Sequence, residues 1–215
     1  MREHEIEPVH GLPEQLPAGE GILWQGGPAW WPFARRAFHL KALTLYFAVL
    51  IAWRIASAMA DGGTMIEVAM APLMSLGLAA GCLGVLALIG RLQAGNAVYT
   101  ITDRRIVLRV GVALPMTVNL PFDAIQTAAL RRHADGTEDI ILALMPGHRA
   151  SWVALWPHLR PWRLTRPEPM LRAVPVSSGA AQVIARALAS SAGVPVGAVT
   201  PQPVSGAALP GAAVA

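Results

Sequence analysis

The chain of 215 residues is 54% hydrophobic and only 14% charged. This charged fraction is well below the roughly 25% of average soluble proteins, and the length is too short for two well-cored domains beside membrane spans. The single cysteine, Cys82, excludes an intrachain disulfide, and no redox chemistry is expected.

Residues 1–37 are expected to be a loop-like cytoplasmic segment, because prolines and glycines interrupt them repeatedly. Within the stretch GEGILWQGGP, Trp24 is expected to lie in a short strand of its own. Trp30 and Trp31 directly precede the first apolar run, a position typical of aromatic anchors at a membrane interface. Five glutamates in this segment argue against a cleaved signal peptide, whose first region is basic.

Two apolar runs predict a hairpin of transmembrane helices over residues 38–60 and 67–92, joined by a periplasmic turn at 61–66. The second run contains 23 consecutive uncharged residues, 68–90, which would span about 34 Å as a helix. The alternative is a soluble helical pair with a buried apolar face. Lys and Arg flank the hairpin and are absent from the turn, so the positive-inside rule places both termini in the cytoplasm, with the hairpin in a bacterial inner membrane.

Two charged residues of the hairpin are expected to pair. Arg54 lies inside the first run, where an unpaired charge costs about 2.5–3.5 kcal/mol on insertion scales. Glu67 lies at the start of the second run, toward the same side of the membrane. We expect the two to approach each other, because an ion pair relieves part of each desolvation cost.

After the hairpin the periodicity changes from helical to alternating, and residues 96–192 are expected to form a cytoplasmic domain of about seven short strands. Tyr99 and Ile101 begin an apolar face that continues through Ile106, Leu108 and Val110. The later strand candidates are Met116–Leu120, Ile125–Arg131, Asp139–Met145, Ser151–Leu155 and Met170–Val174. Such a series predicts a small antiparallel barrel or sandwich.

The end of the chain predicts one more helix and a tail. Ser177 or Ser178 can cap a helix with an apolar stripe through Ile184, and we expect this helix to cover one end of the strand domain. Residues 193–215 are rich in Pro, Gly, Ala and Val and are expected to form a flexible tail.

The stretches YTITDRRIVLRVG and VNLPFDAI resemble the bacterial pleckstrin-homology-like domain family. The family pattern is a Tyr-x-x-Thr-Asp-x-Arg hairpin, an apolar strand ending in Gly, and an apolar-Pro-x-x-x-Ile step. The matching residues are Tyr99, Thr102, Asp103, Arg105, Gly111, Pro121 and Ile125. In the hairpin we expect Asp103 to accept from backbone N–H groups of the turn, Thr102 to cap it and Gly111 to adopt a positive φ.

The wider arrangement, with WPFARRAFHLKALTLYF leading into the first span, is similar to the PuhB family of purple bacteria. These are photosynthetic complex assembly proteins encoded beside the reaction-centre H subunit. The resemblance covers about residues 18–190. It implies residence in the intracytoplasmic photosynthetic membrane and reaction-centre or light-harvesting subunits as partners. Some members have been interpreted with three spans, but here IILALMPGHRASWVALW is broken at 146–149, which favours two strands and a turn.

No catalytic, metal or cofactor site is expected. The six histidines have no metal-ligand spacing, and no Ser-His-Asp set or glycine-rich phosphate loop is present. His39 is a weak candidate for pigment binding, since a histidine in a membrane helix can ligate the magnesium of bacteriochlorophyll. Its neighbours Arg35, Arg36 and Lys41 favour an interfacial hydrogen-bonding role instead.

Small residues in the second run predict close helix contact. Gly77 and Gly81 form a GxxxG motif, and Gly84 with Ala80 forms a second small pair on an adjacent face. In lipid, such residues let helix backbones approach closely. The motif can serve packing against the first span, docking onto the helices of a partner, or a homodimer.

The second half of the chain combines arginines with tryptophans. Between residues 91 and 172 there are eleven arginines and six acidic residues. The candidate interface residues in the stretch ASWVALWPHLRPWRLTR are Trp152, Trp156, Trp162, Arg160 and Arg163. The mixture suits anionic lipid headgroups or an aromatic-rich protein interface, and core tryptophans with solvated arginines are the alternative. The membrane context makes nucleic acid an unexpected partner.

The leading hypothesis is therefore a membrane-anchored assembly factor for the photosynthetic reaction centre and light-harvesting 1 complex. It would act as a non-catalytic scaffold through its hairpin and its basic, Trp-containing domain. Two alternatives are a lipid-sensing or envelope-stress membrane protein with the same domain, and a structural subunit that stays in the finished complex.

Overall fold

The computed structural model describes residues 11–12, 14–112, 114–148, 150–161, 163 and 165–191. The acidic start of the chain, Trp162 and the tail predicted for 193–215 lie outside the described residues. The helices are α1 (Trp30–Ala37), α2 (Leu40–Ala60), α3 (Met65–Asn96), α4 (Trp152–Leu155) and α5 (Ala180–Ser191). The strands are β1 (Ile22–Gly26), β2 (Val98–Thr102), β3 (Arg105–Val110), β4 (Met116–Pro121), β5 (Ile125–Arg132), β6 (Thr137–Leu144) and β7 (Met170–Pro175).

Helices α2 and α3 form an antiparallel pair, and both are long and apolar enough to cross a membrane. Only 6% of the most apolar window of α2 and 11% of that of α3 is buried against the rest of the chain. A capping box begins α3: the Thr64 hydroxyl accepts from Glu67 N, while the Glu67 carboxylate accepts from Thr64 N at 2.7 Å. With 32 residues against 21, α3 exceeds α2 by about three turns.

Helix α1 packs against those extra turns of α3. The prediction that residues 1–37 are loop-like missed this helix. The strand expected around Trp24 is present as β1 and pairs with β2. The N-cap of α1, Ala29, makes no side-chain capping bond, and Pro32 lies in its first turn. The sequence therefore lacks an N-cap signal, although Pro32 is compatible with a first turn, and packing on α3 supplies the missing stabilisation.

The strands form two antiparallel sheets, one of four strands in the order β1-β2-β3-β4 and one of three in the order β5-β6-β7. No ladder joins the two sheets in the part of the chain that is described, so the predicted barrel is not confirmed. The expected apolar face of β2 and β3 is confirmed, since Tyr99, Ile101, Ile106 and Leu108 are all fully buried in one core. Ile184 of α5 packs into the same core.

The prediction of a strand at Ser151–Leu155 is wrong. Residues 152–155 form the helical turn α4, and the Ser151 hydroxyl accepts from Ala154 N at its start. A Ser followed by short apolar residues suits a helix N-terminus as well as a strand, and at four or five residues periodicity does not separate the two. The turn buries Leu155 and leaves Trp152 and Trp156 half-exposed.

Candidate functional site

The GxxxG motif of α3 faces away from the rest of the chain. A Cβ placed on Gly77, Gly81 or Gly84 would meet no atom within 4 Å. Ala79, on the opposite face of α3, is buried. The first of the three uses considered for these glycines, packing within the hairpin, is therefore excluded, because α2 lies against the other face. The motif presents a smooth open surface at the level where α2 and α3 run side by side.

The expected pairing of Arg54 with Glu67 is wrong. Among the ion pairs of the described residues none joins these two side chains. The Glu67 carboxylate is engaged by the backbone and hydroxyl of Thr64 instead, at 2.7 and 3.0 Å. Backbone N–H groups at the first turn of a helix satisfy a carboxylate locally, so Glu67 has no need of a partner on α2.

Helix α1 joins the apolar hairpin to the strand domain. On one side, Gly90 of α3 contacts Ala34 so closely that a Cβ would overlap its side chain and backbone. On the other side, Phe33 is fully buried and stacks on the His158 ring, with 5.0 Å between centroids. The Ala29 N–H donates to Ala173 O of β7 at 2.8 Å. These contacts fix the two parts of the molecule to each other through one short helix.

Charged contacts extend this joint along α1. Arg35 pairs with Asp135 at 2.8 Å, and Arg36 donates to the Thr137 hydroxyl at 2.7 Å, both in the β5–β6 hairpin. Burial alone would raise the pKa of Asp135, but hydrogen bonds from Thr137 and the charges of Arg36 and His133 hold it below its ordinary value. The turn between β5 and β6 is thus tied to the last turn of α1.

A buried polar chain runs beneath the joint. The Tyr99 hydroxyl lies 2.7 Å from His158 Nδ1 and accepts from Arg172 N at 3.4 Å. Burial, helped by the charge of Arg172, lowers the pKa of His158 to about 3. Burial likewise raises the pKa of Tyr99. His158 is therefore a neutral core histidine whose Nδ1 accepts from Tyr99, and it is poorly placed to bind a ligand.

The same region contains a half-open basic cavity of about 450 Å³ between the start of α2 and the second sheet. Its cationic lining residues are Arg35, Arg36, Lys41, Arg131, Arg160 and Arg172. Asp139 is its one acidic lining residue. Its carboxylate is already bound by His133 Nε2 at 2.8 Å and Ala173 N at 2.7 Å. No single stretch of sequence indicated this cavity, because its residues come from four separate parts of the chain.

His39, the weak pigment candidate, lies on the rim of that cavity. It is the N-cap of α2 in a left-handed conformation, with φ 53°, and its side chain is exposed. It precedes the apolar part of the helix and lines the cavity together with Lys41. His39 therefore lies at the polar end of α2, beside the basic side chains of the cavity.

The predicted Trp and Arg interface is only partly brought together. Arg160 and Arg163 share one carboxylate, Glu168, at 3.0 and 3.1 Å. Trp156 packs edge-on against Phe38 at the α1–α2 junction, with 5.8 Å between ring centroids. Trp152 and Trp156 both remain half-exposed, so α4 places aromatic surface beside the base of the hairpin. Trp162 lies outside the described residues.

The hairpin motif that carries the family resemblance has a structural role. The Thr102 hydroxyl accepts from the N–H groups of Arg104 and Arg105, as expected for a cap. Asp103 accepts from Gly21 N at 3.1 Å, outside the turn, and Arg105 binds both oxygens of Glu20. The motif thus holds the segment that leads into β1. Gly111 has the expected positive φ, at 115°.

No group of three or more His, Cys, Asp or Glu side chains in the described ranges is arranged to hold a metal ion.

Comparison with known proteins yields one family and one relative of nearly the same length. Residues 36–181 match the family model described as Bacterial PH domain. The chain is 36% identical over 214 residues to an "Uncharacterized 23.7 kDa protein in puhA 5'region" of Rhodobacter capsulatus. That alignment covers 97% of this chain and 98% of the relative. No solved structure matches.

Proposed function

The chain belongs to the bacterial PH domain family, and from this membership and the geometry of its hairpin we propose that it is a membrane-anchored assembly factor for the photosynthetic reaction centre and light-harvesting 1 complex. It acts as a non-catalytic scaffold, through the open face of α3 and the cytoplasmic domain. The link to photosynthesis comes from the relative described by its place in the puhA 5' region, together with the resemblance to the PuhB family.

Exposure supports placing the hairpin in a bilayer. Large apolar side chains project outward along both helices, among them Trp53 at 63% and Met74 at 84% exposed. In water, so large an unpaired apolar surface would favour aggregation, whereas in lipid it is solvated. The turn between the helices carries no Lys or Arg and both outer ends do, which orients the domain toward the cytoplasm.

The observation that carries the proposal is the open glycine face of α3. In a bilayer, helices associate through close backbone packing, because lipid tails offer no hydrophobic driving force for association. Gly77 and Gly81 provide such a surface in the apolar section, and no part of the described chain covers it. A partner helix can therefore dock there without displacing α2.

The rigid joint at α1 gives this docking a use. A helix held by α3 and a cytoplasmic segment held by the strand domain would be fixed relative to each other, since α1 binds both parts. Holding two groups in one geometry raises their effective concentration, which favours assembly without turnover of any substrate.

The test is recovery of partners from photosynthetically grown cells. The tagged wild-type chain should co-purify with reaction-centre or light-harvesting 1 polypeptides, and the double variant Gly77→Leu, Gly81→Leu should recover at least several-fold less. The matched control is the double variant Ala48→Leu, Ala52→Leu, which adds comparable bulk at two exposed small residues of α2 with the same spacing. Both variants should reach the membrane at the wild-type level, because neither site contacts the rest of the chain closely.

Three results would count against the proposal. Recovery of no photosynthetic polypeptide would favour a lipid-sensing or envelope-stress protein. Stoichiometric retention in mature complexes would favour a structural subunit. Equal loss of partners in the α2 control would mean that bulk anywhere on the hairpin matters, and that the α3 face has no special role.

A further inference from the structure

The basic cavity at the start of α2 combines a strong excess of positive charge with a concave, half-open shape. Six Arg and Lys side chains line it against one carboxylate. Its volume of about 450 Å³ lies within the roughly 300–1,000 Å³ typical of small-ligand sites. A flat basic surface would attract anions generally, whereas a half-open pocket of this size can seat one bound group.

Half of these cations have no acidic partner. Arg35 and Arg160 pair with Asp135 and Glu168, and Arg36 lies 3.7 Å from Asp135. Within the described residues no carboxylate lies within 4.0 Å of the charged nitrogens of Lys41, Arg131 or Arg172. Three cationic side chains therefore line the cavity without a direct ion pair.

Arg172 is the most informative of the three. It is only 7% exposed, its Nε has no hydrogen-bond partner, and one terminal nitrogen donates to Leu159 O at 3.3 Å. A buried guanidinium without a carboxylate is costly, and such a group is retained where a bound anion completes its contacts. Burial lowers the pKa of Arg172, which the charge of Asp139 opposes.

The cavity lies where the apolar part of the chain begins. Lys41 is the second residue of α2, and His39 on the rim precedes that helix. Trp156 packs on Phe38 beside the same junction, and Trp30 holds Arg91 over its ring at 5.4 Å. Tryptophan and basic residues together are typical of the headgroup layer of a membrane.

We propose that this cavity binds the phosphate of an anionic phospholipid of the inner leaflet, with Lys41, Arg131 and Arg172 as its principal ligands. The proposal rests on the proposed function in that α2 must enter a bilayer. Arginine and lysine donors that line one pocket suit a phosphodiester, and the acyl chains of the lipid would extend along the apolar surface of α2. A bound lipid would then brace the joint between hairpin and domain.

The experiment is native mass spectrometry of the full chain in neutral detergent, titrated with phosphatidylglycerol, phosphatidylcholine or glycerol 3-phosphate. The wild type should retain phosphatidylglycerol in preference to phosphatidylcholine. The double variant Lys41→Gln, Arg131→Gln should weaken phosphatidylglycerol binding by roughly 25-fold, about fivefold for each charge removed. Neither substitution leaves a carboxylate unpaired, so the fold should be preserved, as a melting curve will verify.

The matched control is Arg104→Gln, Arg166→Gln, which changes the net charge equally at two exposed arginines outside the cavity. Equal weakening in the control would overturn the proposal in favour of a general basic surface. Equal affinity for the two lipids in the wild type would also overturn it. If glycerol 3-phosphate binds as tightly as the lipid, the ligand is a soluble phosphate compound and the lipid assignment fails. Failure to recover photosynthetic partners from cells leaves these measurements on the purified chain unaffected, so the two proposals can fail separately.

Discussion

Two sections of helix α3, around Gly81 and around Gly90, use glycine in opposite ways. At Gly81 no atom of the chain lies within 4 Å of an added Cβ, whereas at Gly90 an added Cβ would overlap Ala34. The small residues around Gly81 therefore make no close contact with the described chain. At Gly90, by contrast, the missing side chain allows α1 to pack directly on the backbone of α3. One helix is thus divided into an open section around Gly81, which no described part of the chain covers, and a closed section around Gly90 that packs on α1.

Removing Phe33 should damage the closed section most. This fully buried ring packs with Ala94, Ala173 and His158, and Phe33→Ala would leave a cavity where α1 meets the domain. We expect the free energy of unfolding, measured by denaturant titration in detergent, to fall by about 3–5 kcal/mol. The neighbouring Trp31→Ala removes a half-exposed ring and should cost much less; equal losses would contradict the importance of the joint.

Larger side chains at Gly90 and Gly81 distinguish the closed section of α3 from the open one. Gly90→Leu should destabilise the chain toward the upper end of about 1–3 kcal/mol, because α1 and α3 must move apart. It should also speed proteolysis between hairpin and domain. Gly81→Leu introduces the same side chain two and a half turns earlier in open space and should leave both measurements unchanged. A comparable effect at the two positions would show that α3 is not divided in this way.

Acid should loosen the closed section through His158. Because burial lowers its folded pKa to about 3 from an ordinary 6.5, the unfolded chain takes up the proton first as the pH falls. The stability contributed by neutral His158 is complete above about pH 6.5 and is lost below it, at about 1.4 kcal/mol per pH unit.

Melting temperatures between pH 7 and 4.5 will test this. His158→Gln keeps an acceptor for Tyr99 and should flatten the decline, whereas the exposed His148→Gln should retain the wild-type slope. A wild-type slope in His158→Gln would assign the acid sensitivity to other groups. The Asp135 carboxylate is not among them, because the stability from its lowered pKa is lost only as the pH falls below the ordinary value of 3.8.

The smallest effect is expected at the far end of the open section. Thr64→Ala removes one half of the capping box of α3 and should cost about 1 kcal/mol, confined to the first turn. Hydrogen exchange should quicken at residues 65–68 and stay unchanged in the domain. Ser57→Ala, which loses only a local bond to Arg54 O, is the control. Propagation of faster exchange into the strands would mean that the hairpin and domain unfold as one unit.

The sequence predicted the features that depend on a short stretch of the chain. The two apolar helices follow from run length, the buried face of β2 and β3 from alternation through Tyr99 and Ile101, and the hairpin cap from Thr102. Helix α1 could not be found in this way, because Ala29 offers no cap and Pro32 discouraged a helical interpretation. What stabilises α1 is contact with Gly90 and His158, which are more than fifty residues away.

The candidate sites also separate into features with a local sequence signal and features that form only on folding. The small-residue motif was visible in the sequence, but which face of α3 it occupies depends on how α2 packs, and only the structure decided that. Arg54 was expected to pair with Glu67 because an ion pair would relieve their desolvation cost, whereas a cap at Thr64 satisfies the acid locally. The basic cavity had no local signal beyond net charge, since Lys41, Arg131 and Arg172 meet only in the folded chain.

Spin labels on α3 and on the β2–β3 turn test most directly the central claim that the open face of the hairpin lies in lipid. After Cys82→Ala, single cysteines at 81 and 104 would carry labels in the full chain reconstituted into lipid bilayers, and power saturation would compare accessibility to oxygen and to a water-soluble nickel complex. The label at 81 should be accessible to oxygen and shielded from nickel, while that at 104, in the β2–β3 turn, should show the reverse. Nickel accessibility at 81 equal to that at 104 would contradict a hairpin whose open face lies in lipid.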